Sequence, residues 1–117
     1  MEIQIVASEF SLTPSLRERI ERRLALAFNH LRGRVQRIVI RLRDLNGPRG
    51  GADKLCQVSV TMPGKPQVEI REVQEDMYLA IDGAVKRAAY RAMRLVMRKR
   101  ENKGNPLLSN APGEREN

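Results

Sequence analysis

Apolar and polar residues alternate in four short stretches of the chain, a pattern typical of half-buried β-strands. These stretches are residues 2–7, 35–43, 55–62 and 67–73. After the first stretch, Thr13-Pro14 suits the N-cap and first turn of a helix. Apolar residues at helical spacing follow, so we expect a helix over 14–32 that stops at Gly33. A second helix is predicted at about 76–103, with an apolar face running from Met77 to Val96.

The predicted order of elements is β-α-β-β-β-α. Three of the four strands have one clearly polar face, which favours helices on one side of the sheet only. We therefore predict an α+β fold in which a four-stranded mixed sheet carries both helices on one face. The first helix should cross over between two parallel strands, and the remaining strands should be antiparallel. Residues 1–103 would form the single domain, and residues 104–117, with two Pro and few apolar side chains, would form a disordered tail.

Positive charge is concentrated in the two predicted helices. The chain has a formal net charge of +8, of which the second helix carries +5 and the first +3, while the remaining residues cancel. A balance this basic indicates a polyanionic partner, either nucleic acid or an anionic membrane surface. No run of 18 apolar residues is present, so a membrane-spanning segment is not expected.

Basic side chains fall on one side of each predicted helix. Arg87, Arg91, Arg94 and Arg98 share a stripe beside the apolar face of the second helix, and Arg19, Arg22, Arg23 and His30 share a flank of the first. The planar guanidinium of Arg matches phosphate oxygens bidentately. The candidate RNA-binding residues are Arg19, Arg22, Arg23, Lys86, Arg87, Arg91, Arg94, Arg98, Lys99 and Arg100. The alternative interpretation is that both stripes are simply solvated faces.

The strand arginines have a different interpretation. Arg37, Arg41 and Arg43 lie opposite polar positions such as Glu69 in the predicted sheet. Cross-strand ion pairs are therefore expected for them in place of RNA contacts.

Residue types that support catalysis or metal binding are scarce. His30 is the only His and Cys56 the only Cys, so a zinc cluster is excluded, and Cys56 is expected in the core. Asp76 and Asp82 both lie in the start of the second helix, where capping and dipole effects account for them. We expect no enzyme activity, no cofactor, no metal and no small-molecule substrate. Few aromatic residues are available for base stacking, which favours recognition of phosphates and shape.

The run Asp76-Met77-Tyr78-Leu79-Ala80-Ile81-Asp82 resembles the D-M-Y-x-A-I-D opening of the last helix in the ribosome hibernation promoting factor family. That family is also called the ribosome-associated inhibitor or sigma-54 modulation family. The Leu12-Thr13-Pro14 start of the first helix, the 46–51 loop with Asp53-Lys54 and Cys56, and the Met62-Pro63-Gly64 turn are also similar. The resemblance covers about residues 1–103.

The resemblance implies the same β-α-β-β-β-α fold. It also implies a cytoplasmic protein, produced under stress and in stationary phase, that binds the small ribosomal subunit and its rRNA in the channel for mRNA and tRNA. Bound there, the protein would exclude mRNA and tRNA sterically and keep the ribosome in hibernation. No membrane partner is implied, and we expect a monomer off the ribosome. The single Cys56 and the absence of a signal peptide at the N-terminus agree with the cytoplasm.

The chain departs from the family in two respects. Residues 83–91 are richer in Ala and Arg than the Leu- and Lys-rich helix common in the family. The residues after 103 are too few for the dimerising domain of long family members, so we do not expect this chain to tether two ribosomes.

Two other functions fit parts of the sequence. The α-β-β-β-α portion has the element order of a general double-stranded RNA-binding module. However, its last helix opens with Glu75-Asp76-Met77 and lacks a Lys cluster at that position. The other alternative is a transcription regulator that acts by protein–protein contact, and the Arg stripes argue against it.

Overall fold

The structure, a computed structural model, describes residues 1–9, 11–45 and 52–104, with only the backbone described for 98–104. The strands are β1 (Glu2–Ser8), β2 (Arg37–Asp44), β3 (Lys54–Thr61) and β4 (Val68–Gln74). The helices are α1 (Pro14–Ala27), a 3₁₀ helix (Asn29–Arg34) and α2 (Met77–Gly104). The predicted order β-α-β-β-β-α and the α+β class are confirmed.

The four strands form one mixed sheet in the order β1-β2-β3-β4. β1 pairs in parallel with β2, which requires the α1 crossover, and the other two pairings are antiparallel. The register aligns Ile40 with Ile5 on one side and Val58 on the other, so their side chains share one face. Both helices pack on this face, and the opposite face of the sheet is open, as predicted.

The first helix ends earlier than predicted. Thr13 caps it as expected, because the Thr13 hydroxyl accepts a hydrogen bond from the Leu16 amide at 3.2 Å. However, α1 ends at Ala27 and not near Gly33, and the chain tightens into the 3₁₀ helix. Phe28 and Leu31 are both buried in the core across this change of helix type. His30 therefore lies outside α1, and the helical angle that grouped it with Arg19 does not apply.

A tight turn joins β3 to β4. The Lys65 amide donates to the Met62 carbonyl at 3.1 Å, and Gly64 has a φ of 76°. Pro63 at the second position and Gly at the third are the residues that a type II turn requires. This local chemistry sets the β3–β4 register, which aligns Val60 with Val68.

The core between sheet and helices is almost entirely aliphatic. Cys56 is fully buried within it, which confirms its predicted place. Burial, with a smaller contribution from nearby Glu72, raises the pKa of the Cys56 thiol to about 12. The thiol is therefore protonated at neutral pH and behaves as a small apolar side chain.

Some expectations fall outside the described residues. These are the loop at 46–51 and the predicted tail beyond Gly104, the last residue of α2. Among the residues that are described, no helix is both long and apolar enough to span a membrane. The same residues contain no group of three His, Cys, Asp or Glu side chains placed to hold a metal ion.

Candidate nucleic-acid interface

We call the surface that α1 and α2 turn away from the sheet the helical layer. Its centre is an ion-pair cluster in which one carboxylate of α2 holds two arginines of α1. Arg19 donates from Nε to Oδ1 of Asp82 at 3.2 Å and from Nη2 to Oδ2 at 3.0 Å. The Nε of Arg23 lies 3.0 Å from the same Oδ1. Two guanidinium groups and one carboxylate leave one net positive charge, and the pairing fixes where both guanidinium groups sit.

Two neighbours of this cluster also come from the start of α2. The Tyr78 ring lies beneath Arg19, with 5.1 Å between the guanidinium carbon and the ring centroid. Hydrogen bonding to Asp82 raises the pKa of Arg19, so its charge is constant over the physiological range. Asp76 is the residue immediately before α2, and its carboxylate caps the helix by accepting a hydrogen bond from the Tyr78 amide at 2.8 Å.

The heptapeptide 76–82 therefore has a physical explanation. Asp76 starts the helix, Tyr78 supports one arginine, and Asp82 orients two of them. The prediction that Asp76 acts as a cap is confirmed, whereas the same prediction for Asp82 is wrong. Asp82 is the sixth residue of α2 and lies beyond the first turn, where free amide groups end. The available signal was an acidic residue within an otherwise basic helix.

Arg87 lies on the opposite flank of α2, against the edge strand β4. Its Nη1 donates to Oε1 of Glu72 and to the carbonyl of Arg71, both at 2.8 Å. Gly83 makes room for this approach, since a Cβ there would lie 2.9 Å from Cδ of Glu72. Hydrogen bonds from Gln74 and then Arg87 lower the pKa of Glu72. Arg87 therefore fastens the helix to the sheet, a role that helical spacing did not reveal.

Arg22 forms a local pair on the exposed side of α1. Its Nη2 lies 2.8 Å from Oε2 of Glu18, one turn earlier, and both side chains are exposed. Exposed pairs of this kind contribute little to stability and exchange readily with solvent. Arg22 can therefore exchange Glu18 for another anion, such as a phosphate, with little loss of free energy.

Two candidate cations have no hydrogen bond or ion pair within the described part of the chain. Lys86 and Arg91 are both exposed on α2. Further along, Arg94 lies over the Tyr90 ring at 5.7 Å. Arg98, Lys99 and Arg100 lie on α2, and their side chains are outside the described residues.

The structure thus separates residues that the sequence grouped. Lys86 and Arg23 line one groove between α1 and α2, whereas Arg87, the next residue after Lys86, faces β4. Asp82 and Glu72 are the residues that sequence reasoning missed, because each acts through a partner far away in the chain.

On the open sheet face, cross-strand pairing is confirmed for two of three arginines. Arg37 Nε lies 3.4 Å from Oε1 of Glu2, and Arg43 Nε lies 3.1 Å from Oε1 of Glu9. The named partner was wrong, since Glu69 accepts instead from the Ser59 hydroxyl at 2.7 Å. The pairing prediction is also wrong for Arg41, which has no ion pair within the described residues.

Comparisons with known proteins agree with this architecture. The family model described as sigma 54 modulation protein / S30EA ribosomal protein matches residues 3–101. The fold resembles a ribosomal subunit interface protein from Coxiella burnetii, with a TM-score of 0.65 and 22% identity over 85% of this chain and 98% of that one. It also resembles the N-terminal domain of Thermus thermophilus Protein Y, with a TM-score of 0.66 and 26% identity over 80% and 98%. A search of curated proteins found no match.

Proposed function

Because this chain belongs to the sigma 54 modulation protein / S30EA ribosomal protein family, we propose that it is a ribosome-associated translation inhibitor. In this proposal it binds rRNA in the mRNA and tRNA channel of the small subunit. It acts by occupying space, so that mRNA and tRNA are excluded and the ribosome is stored in an inactive state. The protein would work in the cytoplasm under stress or in stationary phase, without enzyme activity.

The observation that carries the proposal is the cationic helical layer on a chain whose residues 3–101 match this family. Arg23 is oriented by Asp82, and Lys86 and Arg91 are exposed without protein partners in the described residues. Charges of this kind suit the closely spaced phosphates of folded RNA. The low aromatic content favours contacts to backbone and shape over the reading of bases.

Steric inhibition needs no further chemistry from the chain. A folded domain with principal dimensions of 53 × 28 × 18 Å is larger than the cross-section of a nucleic-acid strand. Such a body fixed in the channel by phosphate contacts would compete with any ligand of the same space.

Sedimentation of purified small subunits with the protein tests this function directly. The protein should co-sediment with the subunit, and pre-bound mRNA and tRNA should reduce its binding. Added to an in-vitro translation reaction, it should inhibit at concentrations matching its occupancy of the subunit. Binding without competition by mRNA or tRNA would contradict the channel site.

The two alternatives predict different results in parallel assays. A double-stranded RNA-binding module would bind free duplex RNA as tightly as it binds the subunit. A transcription regulator acting by protein contact would retain its partners in a pull-down after ribonuclease treatment. The proposed function requires preference for the subunit and loss of co-purifying material with ribonuclease.

A further inference from the structure

A groove of about 550 Å³ lies between α1 and α2 on the helical layer. Its apolar lining comes from both helices: Leu26 and Ala27 on α1, Val85 and Ala89 on α2. Its polar lining consists of Arg23, Asp82 and Lys86. Volumes of this size are typical of sites that take small organic ligands, which combine an apolar surface with a few placed polar groups.

The polar side of the groove is arranged for an anion. Arg23 approaches Asp82 with its Nε, which lies 3.0 Å from Oδ1, and no hydrogen bond of its two terminal amino groups is found among the described residues, so both remain available as donors. Arg19 donates hydrogen bonds to both oxygens of Asp82, and Arg23 forms an ion pair with Oδ1. The negative charge of Asp82 is therefore offset, and it does not prevent an anion from binding in the groove. Lys86 follows Asp82 by one helical turn and adds a second cation with no partner among the described residues.

The apolar side of the groove is open to a flat group. Leu26 is 68% exposed, although leaving a large apolar side chain in water is unfavourable. Both walls are helices whose backbone amides and carbonyls are bonded internally, so the groove cannot bind an extended peptide by adding it as a β-strand. A nucleobase needs only apolar contact for its face, and its edge can remain in water. This difference favours a nucleotide over an extended acidic peptide.

We propose that the α1–α2 groove binds one unstacked nucleotide of single-stranded RNA. The phosphate lies between Arg23 and Lys86, and the base covers Leu26 and Ala89. This inference rests on the proposed function, because it specifies how the helical layer engages rRNA: a nucleotide that is splayed out of its helix provides a fixed register for the surrounding phosphate contacts.

The test uses the free, full chain labelled with ¹⁵N and observed by NMR during titration with adenosine 5′-monophosphate. Amide shifts should change saturably on both walls, at residues 23–27 and 82–89. Inorganic phosphate, which lacks a base, should bind at least several-fold more weakly. Lys86→Gln should weaken the nucleotide about tenfold, since a charge-assisted contact is lost.

Variants of two exposed leucines separate the base contact from general effects. Leu26→Ala should weaken adenosine 5′-monophosphate several-fold and leave phosphate binding unchanged. Leu79→Ala is the matched control, because Leu79 is also exposed on the helical layer but does not line the groove. It should alter neither ligand.

Three results would overturn the inference. One is the absence of groove shifts at millimolar nucleotide. Another is phosphate binding as tightly as the nucleotide, which would leave a bare anion site. The third is a blocked Glu-Leu-Glu peptide that shifts these amides when the nucleotide does not, which would indicate a protein partner. Subunit binding is measured separately, so a failed titration with subunit binding intact rejects the groove assignment alone.

Discussion

The helical layer and the open sheet face both carry several arginines, but their acidic neighbours use them differently. On the sheet face, Glu2 and Glu9 each pair with one arginine of β2, so charge largely cancels within the sheet. In the helical layer, Arg22 also has its own partner in Glu18, but the one carboxylate of Asp82 holds both Arg19 and Arg23. One acid shared by two bases orients them without neutralising them. The number of arginines therefore says less about binding than the number of carboxylates that face them.

The largest expected effect is the dependence of subunit binding on salt. If the helical layer contacts six to ten phosphates, affinity should fall on the order of a thousandfold or more between about 50 and 200 mM salt, by analogy with duplex DNA. Filter binding of labelled small subunits over this range gives the slope. A nearly flat dependence would mean that the helical layer is a solvated face, as the alternative interpretation holds.

Matched triple variants compare the two faces directly. Arg23→Gln, Lys86→Gln and Arg91→Gln together should weaken subunit binding on the order of a thousandfold, because each removes a charge-assisted hydrogen bond. Filter binding of labelled small subunits measures the affinity of this triple variant and of its control.

The control triple is Arg37→Gln, Arg41→Gln and Arg43→Gln, which removes an equal charge from the sheet face. Its affinity should change by less than about tenfold, since only long-range attraction is lost. Equal losses in the two triples would show that net charge alone drives binding and that the contrast between the faces is unimportant.

On α2, substitutions of Arg87 and Arg91 should differ in their effect on stability. Arg87→Gln removes two hydrogen bonds to β4 and should lower the free energy of unfolding by up to about 1 kcal/mol, the upper range for exposed pairs. Arg91→Gln should change it by less than about 0.5 kcal/mol, because Arg91 has no hydrogen bond or ion pair among the described residues to lose. Urea unfolding measures both, and a ranking in the opposite order would remove the structural role given to Arg87.

The smallest effect concerns Glu72 at acid pH. Its pKa is lower in the folded state than the ordinary 4.5, so it stabilises the fold above about pH 4.5. That contribution should be lost as the pH falls through the lowered folded pKa. The difference in unfolding free energy between wild type and Glu72→Gln should therefore shrink below pH 4.5. A difference that stays constant with pH would mean that Glu72 stabilises by packing alone.

The sequence predicted the fold because its signals are local. Alternation located the four strands to within two residues, and Thr13-Pro14 and Pro63-Gly64 marked a helix start and a turn by their own backbone chemistry. The end of α1 was missed because residues three apart, such as Phe28 and Leu31, share one face in an α-helix and in a 3₁₀ helix alike, so their spacing does not distinguish the two.

The sequence by itself determined the fold class, the concentration of charge on two helices and the family resemblance, since periodicity and composition are properties of the chain. Only the tertiary structure decided which cations are engaged. Lys86 and Arg87 are neighbours in sequence, yet one lines the α1–α2 groove and the other is bonded to β4. Asp82 meets Arg19 across 63 positions of the chain. Ion pairs depend on distances between side chains, and folding sets those distances between residues that no local pattern connects.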